Sequence, residues 1–203
     1  MVVNGKTIRM SECTTSVGAK PSSGVATPDA GDLMAVVTHF QSPLLRYVGR
    51  MLGRYDGQSE DLVQETFVRL HRQVSTHGPD SVQHLTTWLF RVAHNLTLDT
   101  LRKKARRQNA GPVPTDAAAE AEQAADDLDA LGEVIHQEAC QVALRELSQL
   151  DDTYRQVILL KVVQGMTLRE VAEVVGVSIP TVNYRLNEGL GMLARRLRRA
   201  GVV

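Results

Sequence analysis

Between Gly111 and Glu138 the chain carries eight acidic side chains and not one Lys or Arg. Such a stretch cannot share a core with what flanks it. Its like charges repel, it offers little apolar surface, and Gly111, Pro112 and Pro114 break any helix arriving from upstream. Each flank must therefore bury a hydrophobic core of its own. The 203 residues divide into a tail over 1–31 rich in Gly, Pro, Ser and Thr, a first module over 32–110, an acidic linker over 111–133 and a second module over 134–203. The tail and the linker are expected to be flexible.

That division changes what the overall charge means. The chain is formally neutral, with 23 Lys+Arg against 23 Asp+Glu. Residues 32–110 nevertheless hold 11 basic and 7 acidic groups, and residues 139–203 hold 9 and 6. Two basic modules joined by an acidic connector average to zero, so neutrality does not exclude a nucleic-acid partner. A hydrophobic content of 43% suffices for two small cores. The longest uncharged run, Leu33 to Leu45, spans 13 residues and includes His39, Gln41, Ser42 and Pro43, too short and too polar to cross a bilayer. The opening residues lack the apolar stretch of a signal peptide. Cys13 and Cys140 lie far apart and make no disulfide framework, which points to a reducing, cytoplasmic compartment.

Every periodic stretch favours helix, so the expected fold is all-α: two small helical domains joined by the linker. Leu33–Gln41 and Pro43–Leu52 read as two helices or one broken at Pro43. Ser59 is the expected N-cap of a helix reaching about Val74, with apolar residues at 63, 67, 70 and 74. The residues from His77 to Asp80 form a turn. Leu85, Leu89, Val92 and Leu96 mark a long helix over about 84–107 whose last turns are basic, as a helix C-terminus favours. Beyond the linker, helices are expected over 134–147, from Asp151 to Gln164-Gly165, and on either side of Gly176.

The strongest local signal is TLREVAEVVGVSIPTVNYRL, residues 167–186. Thr167 and Glu170 fit a capping box, Ala172 is small where two helices would cross, Gly176 suits a left-handed turn, and Ser178 caps the next helix. This is a helix-turn-helix, whose second helix presents its N-terminal residues to the DNA major groove. The outward candidates are Ser178, Thr181, Asn183, Tyr184, Arg185 and Asn187, with Arg185 suited to guanine and the asparagines to adenine. The second signal is WLFRVAHNLTLDTLRKKARR, residues 88–107, whose cations suit phosphates while His94, Asn95 and Asp99 offer polar edges. Trp88, Phe90 and Phe67 lie on or beside apolar stripes and are expected in the core.

DLVQETFVRLHR at 61–72, then WLFRVAHNLTLDTLRKKARR, then an acidic linker and a helix-turn-helix resembles an extracytoplasmic-function sigma factor, a sigma subunit of bacterial RNA polymerase. The resemblance covers about 32–110 and 134–199. It implies that the first domain binds core polymerase and the −10 promoter element, and that the second binds the −35 element. Asp61, Gln64, Glu65 and Phe67 would meet the clamp coiled coil of the polymerase. Asn95, Asp99, Arg102, Lys103, Arg106 and Arg107 would face the −10 DNA, and the turn around Asp80–His84 would hold a flipped-out base. The −35 contacts would fall to Ser178, Thr181, Asn183, Tyr184, Arg185 and Asn187. An anti-sigma factor is a further candidate partner. The chain departs from the pattern in two places: residues 179–192 hold Arg185 as their sole cation, against Glu188, and a tail of some 30 residues precedes the first domain.

Two other classes compete. A two-domain DNA-binding regulator would share the helix-turn-helix but would have no use for a polymerase-docking helix. An enzyme would need a catalytic or metal constellation. His71, His77, His84 and His94 do not repeat a one-face helical spacing, and no Cys or carboxylate completes a ligand set, so no metal, cofactor or catalytic residue is expected.

Overall fold

The computed structural model describes residues 2–3, 6–7, 27–53, 55–109 and 140–201. They are helical apart from a two-residue antiparallel pairing of β1 (Val2–Val3) with β2 (Lys6–Thr7), inside the tail expected to lack structure. The acidic linker lies outside the described residues. The helices fall into two compact units, one before the linker and one after it.

The first unit is an up-down-up bundle. Helix α1 spans Leu33–Leu52 without a break. Asp32 caps it by accepting from the Ala35 N–H at 3.1 Å, and Gly53 ends it in the left-handed conformation with φ 74°. Pro43 sits inside the helix, where the missing N–H and the ring clash cost about 3 kcal/mol. The expected break does not occur because Val36, Phe40, Pro43, Leu44, Tyr47, Val48 and Met51 form one buried stripe running through the proline. Burying a large side chain contributes about 1.5–3 kcal/mol, and the stripe outweighs the local penalty.

Helix α2 spans Gly57–His77. Its N-cap is Asp56, three residues before the expected Ser59: the Asp56 carboxylate accepts from the Ser59 N–H at 3.2 Å, and Ser59 itself is buried. The helix also runs three residues past Val74, to His77, and Gly78 caps its end. A 3-10 turn over Pro79–Ser81 then leads to α3, Leu85–Asn109. Gly31 lies against Pro79 and Tyr47 packs edge-on against Phe90, centroids 5.6 Å apart, so α1 and α3 run side by side in the same direction.

The buried face of α3 is turned from the expected one. Leu85, Leu89, Phe90, Ala93, His94 and Thr97 face inward, whereas Val92 and Leu96 stay partly exposed. Thr87 is buried on the same helix, and the inward polar residues His94 and Thr97 each have a hydrogen-bond partner. The Tyr47 hydroxyl bonds His94 Nδ1 at 2.8 Å, and the Thr97 hydroxyl donates to the Ala93 carbonyl at 2.7 Å. Trp88, expected in the core, is half-buried, while Phe90 and Phe67 are buried.

In the second unit, α4 covers residues 140–148 of the longer helix expected over 134–147. Cys140, the one cysteine among the described residues, is disulfide-bonded, where the sequence pointed to no disulfide framework and a reducing compartment; Cys13 lies outside the described residues. Helix α5, Asp152–Ile158, is capped by Asp151 and widens into a π turn over Leu159–Val163. The widening places Leu159 and Leu160 together in the core. Helices α6 (Leu168–Val175) and α7 (Ile179–Arg199) follow. Against α5, α7 approaches closely at Gly189, where a Cβ would lie 2.9 Å from Ile158 Cδ1 and 3.1 Å from Tyr154 Cβ.

Candidate nucleic-acid interface

The helix-turn-helix forms from its own local chemistry. The Thr167 N–H donates to the Glu170 carboxylate at 2.7 Å, and the Glu170 N–H donates to Thr167 Oγ1 at 3.2 Å, closing the capping box. Gly176 turns the chain with φ 74°. Ser178 caps α7 by accepting from the Thr181 N–H at 3.4 Å. Val171, Ala172, Val174 and Val182 are buried, while Val177 in the turn is half-buried.

The six candidate readers on this unit do not share one situation. Asn183, Tyr184 and Asn187 are exposed, Tyr184 by 63%. The Ser178 and Thr181 hydroxyls are engaged with each other at 2.8 Å and with the cap. Arg185 is half-buried, and its charge acts on Asp151 at the start of α5. Hydrogen bonds from Thr153 chiefly hold the Asp151 carboxyl below its ordinary range, with Arg155 and then Arg185 adding to the effect. Arg185 is the sole cation in the first four turns of α7, and the other five candidates are neutral. Cations gather only at the end of the helix, at Arg195, Arg196, Arg198 and Arg199. Of these, Arg196 pairs with Glu146 at 3.5 Å.

On the first unit, Asn95, Asp99, Arg102, Lys103, Arg106 and Arg107 are all exposed along α3. Asn95, Asp99, Arg102 and Arg106 recur at helical spacing and so share a face. Asp99 and Arg102 pair at 3.4 Å, both more than half exposed, a contact worth little in water that releases the arginine readily to a phosphate. His94, offered by the sequence as a polar edge for DNA, is instead a buried partner of Tyr47. Burial, with the Arg102 charge second, lowers its pKa to about 4, so the imidazole is neutral at neutral pH. In the turn before α3, Asp80, Ser81, Gln83 and His84 are exposed and Val82 is buried beneath them.

The candidate residues on α2 divide cleanly. Asp61 and Gln64 are exposed, and Glu65 is partly exposed and ion-paired with Arg69 at 2.8 Å. Phe67 is buried in the bundle at 9% exposure, because it continues the inward stripe of Val63 and Leu70. The apolar residue that reaches the surface beside these acids is Val68, 40% exposed, which no pattern in the sequence marks out.

Among the described residues no group of His, Cys, Asp and Glu is placed to hold a metal ion, and no helix is long and apolar enough to cross a membrane. A three-helix unit with an exposed basic helix, followed by a capped helix-turn-helix unit, defines a two-module DNA-binding transcription factor. Residues 36–107 match the Sigma-70 region 2 family, and residues 140–193 match Sigma-70, region 4. The chain is 30% identical over 166 residues to the ECF RNA polymerase sigma factor SigW of Bacillus subtilis, covering 80% of this chain and 87% of the relative. It is 30% identical over 182 residues to the ECF RNA polymerase sigma factor SigL of Mycobacterium tuberculosis, covering 89% and 97%. In fold it is similar to the sigma factor RpoE of Bartonella quintana, solved with the anti-sigma factor NepR (TM-score 0.61, 21% identity, 82% and 97% covered). It is similar also to CnrH, solved with the cytosolic domain of CnrY (TM-score 0.55, 23% identity, 84% and 93% covered). The chain belongs to the ECF RNA polymerase sigma factor family.

Proposed function

We propose that this sigma factor binds core RNA polymerase through the outer face of α2, reads the −10 element with α3 and the turn before it, and reads the −35 element with α7. Promoter-specific transcription initiation follows from holding all three at once. It acts in the cytoplasm as an initiation factor, supplying recognition rather than catalysis. An anti-sigma partner fits the same scheme, since the RpoE neighbour is bound to one.

The observation that carries the proposal is the division of charge within the first unit. Helix α2 offers Asp61, Gln64 and Glu65 at the surface, whereas α3 offers Arg102, Lys103, Lys104, Arg106 and Arg107. A DNA-binding regulator needs the second face and has no use for the first. Substituting Gln64→Ala together with Glu65→Ala, both on the surface, is expected to weaken core-polymerase pull-down about tenfold while leaving the fold intact. Failure of both the wild-type and the doubly substituted chain to hold core polymerase would overturn the proposal, and equal retention by both would move the docking surface away from Gln64 and Glu65.

The basic helix makes a separate, salt-dependent prediction. Lys103→Ala with Arg106→Ala is expected to lower the slope of log K against log salt for promoter DNA by about 2, close to one for each phosphate that no longer meets a cation. Titration of the holoenzyme on a labelled promoter over a range of KCl concentrations measures it. An unchanged slope would mean that α3 does not lie along the phosphates.

A further inference from the structure

None of the surfaces described so far uses the disulfide. Cys140 is half-buried at the first residue of α4 and is disulfide-bonded. The chain holds two cysteines, so within the chain its partner is Cys13. A second observation points the same way. Strands β1 and β2 group with α4–α7, and not with α1–α3, the helices that follow them in the chain. The bond is no staple between two helices of one core, since the second unit already buries Leu147, Ile158, Leu159, Leu160 and Leu193 around one another. In the cytoplasm thiols are kept reduced, and a disulfide there is transient, serving catalysis or redox sensing.

What the bond encloses shows what it can control. The ring it closes takes in all of α1–α3 and the acidic stretch. With the thiols reduced, the two units are joined only by the 31 residues from Ala110 to Cys140. Fully extended, these reach about 105 Å. With the bond formed, the 19 residues from Cys13 to Gly31 become a second, shorter tether, whose full reach is about 65 Å. Elements named −10 and −35 lie about 25 base pairs apart, or about 85 Å along B-DNA. Oxidation therefore takes the longest tether between the units from above that spacing to below it.

We infer that Cys13 and Cys140 form a redox-operated clasp, open when reduced, which on oxidation by hydrogen peroxide ties the tail to α4 and restricts simultaneous hold on two DNA elements. One thiolate attacks a peroxide oxygen, the O–O bond breaks, hydroxide leaves and the sulfur becomes a sulfenic acid. The other thiolate attacks that sulfur, the S–S bond forms and a second hydroxide leaves. Two thiols lose two electrons and two protons, and one peroxide becomes two waters. A cytoplasmic dithiol reopens the clasp by thiol–disulfide exchange and is itself oxidised to a disulfide. The inference rests on the proposed two-element reading for its use, though the clasp itself does not.

The full chain is treated with hydrogen peroxide, freed of it, and compared with the chain reduced by dithiothreitol. Peptide mapping without reductant is expected to join the Cys13 peptide to the Cys140 peptide in the oxidised monomer alone. Size-exclusion chromatography is expected to give that monomer the smaller Stokes radius. After mixing with untreated core polymerase, the oxidised chain is expected to hold a promoter carrying both elements at least about tenfold less tightly, with dithiothreitol restoring the loss. Cys13→Ser leaves α4 untouched and is expected to abolish all three responses to peroxide. A disulfide-linked dimer in place of the joined monomer overturns the inference. So does equal promoter binding by the joined and the reduced chains, or a Cys13→Ser chain that keeps the response. A reduced chain that holds no core polymerase overturns the proposed function and not the clasp, which the peptide map and the Stokes radius decide by themselves.

Discussion

Acidifying the medium from pH 7 to pH 4 is expected to remove about 3 kcal/mol of stability from the α1–α3 unit through His94 alone. The imidazole is 1% exposed, is hydrogen-bonded to the Tyr47 hydroxyl at Nδ1, and has its pKa lowered from 6.5 to about 4, by burial first and the Arg102 charge second. In the unfolded chain it regains the ordinary value and takes up a proton first. The sign follows from this difference. The folded state is fully favoured above pH 6.5, loses ground as the pH falls toward about 4, and loses no more to this group below that. Urea unfolding of the full chain at half-unit pH steps measures the slope. Glu65 and Asp151, whose carboxyls are held below their ordinary values, contribute their own losses at lower pH. Those losses persist in a His94→Phe chain, so the difference between the two profiles isolates the histidine. A His94→Phe chain with the wild-type slope between pH 4 and 6.5 would refute the assignment.

Gly189 and Gly191 are expected to respond to substitution with opposite signs. Both lie in α7, where glycine costs a helix about 1 kcal/mol relative to alanine, and from sequence alone the two look alike. A Cβ at Gly189 would enter the contact with α5, at 2.9 Å from Ile158 Cδ1 and 3.1 Å from Tyr154 Cβ. The isoleucine tip can swing aside, but Tyr154 Cβ is anchored to its backbone. Gly189→Leu is therefore expected to destabilise the second unit by about 2–3 kcal/mol and to weaken −35 binding, since α7 is pushed off its support. At Gly191 the nearest atom is the flexible Arg195 Nη1 at 3.6 Å, so Gly191→Ala should stabilise the unit by about 1 kcal/mol. Unfolding monitored by circular dichroism measures both. Equal responses at the two positions would mean that α7 does not approach α5 at Gly189.

The two glycines show where sequence stops being informative. Caps and turns in the helix-turn-helix were legible because each is settled within three or four residues: Thr167 with Glu170, Gly176 by its own φ, Ser178 with Thr181. Asp56 taking the cap from Ser59 is the exception, since both residue types cap well and the choice turned on Ser59 being buried. Pro43 was misleading because its penalty is local, whereas the stripe that outweighs it is completed by α2 and α3.

The candidate site divided along the same line. Exposed charges on α3 and α2 were found by pattern and motif, and they lie at the surface as expected. Phe67 turned inward, leaving Val68 at the surface, because the inner stripe of α2 claims every third or fourth residue. His94 looked like a polar edge for DNA since its partner, Tyr47, lies 47 residues earlier in the chain. Arg185 is half-buried, and its charge is felt by Asp151 at the start of α5, a neighbourhood set by packing and not by sequence distance.

Two helical modules on either side of an acidic stretch, a capped helix-turn-helix in the second, and membership of the family all follow from the order of the residues. Each rests on charge, on periodicity, or on hydrogen bonds between near neighbours. Tertiary packing settled the rest: which face of each helix is buried, which cations are free to meet DNA, and which glycine is indispensable. Those outcomes depend on the atoms of a second helix within about 4 Å, the range over which packing and hydrogen bonds act, and sequence distance says nothing about them.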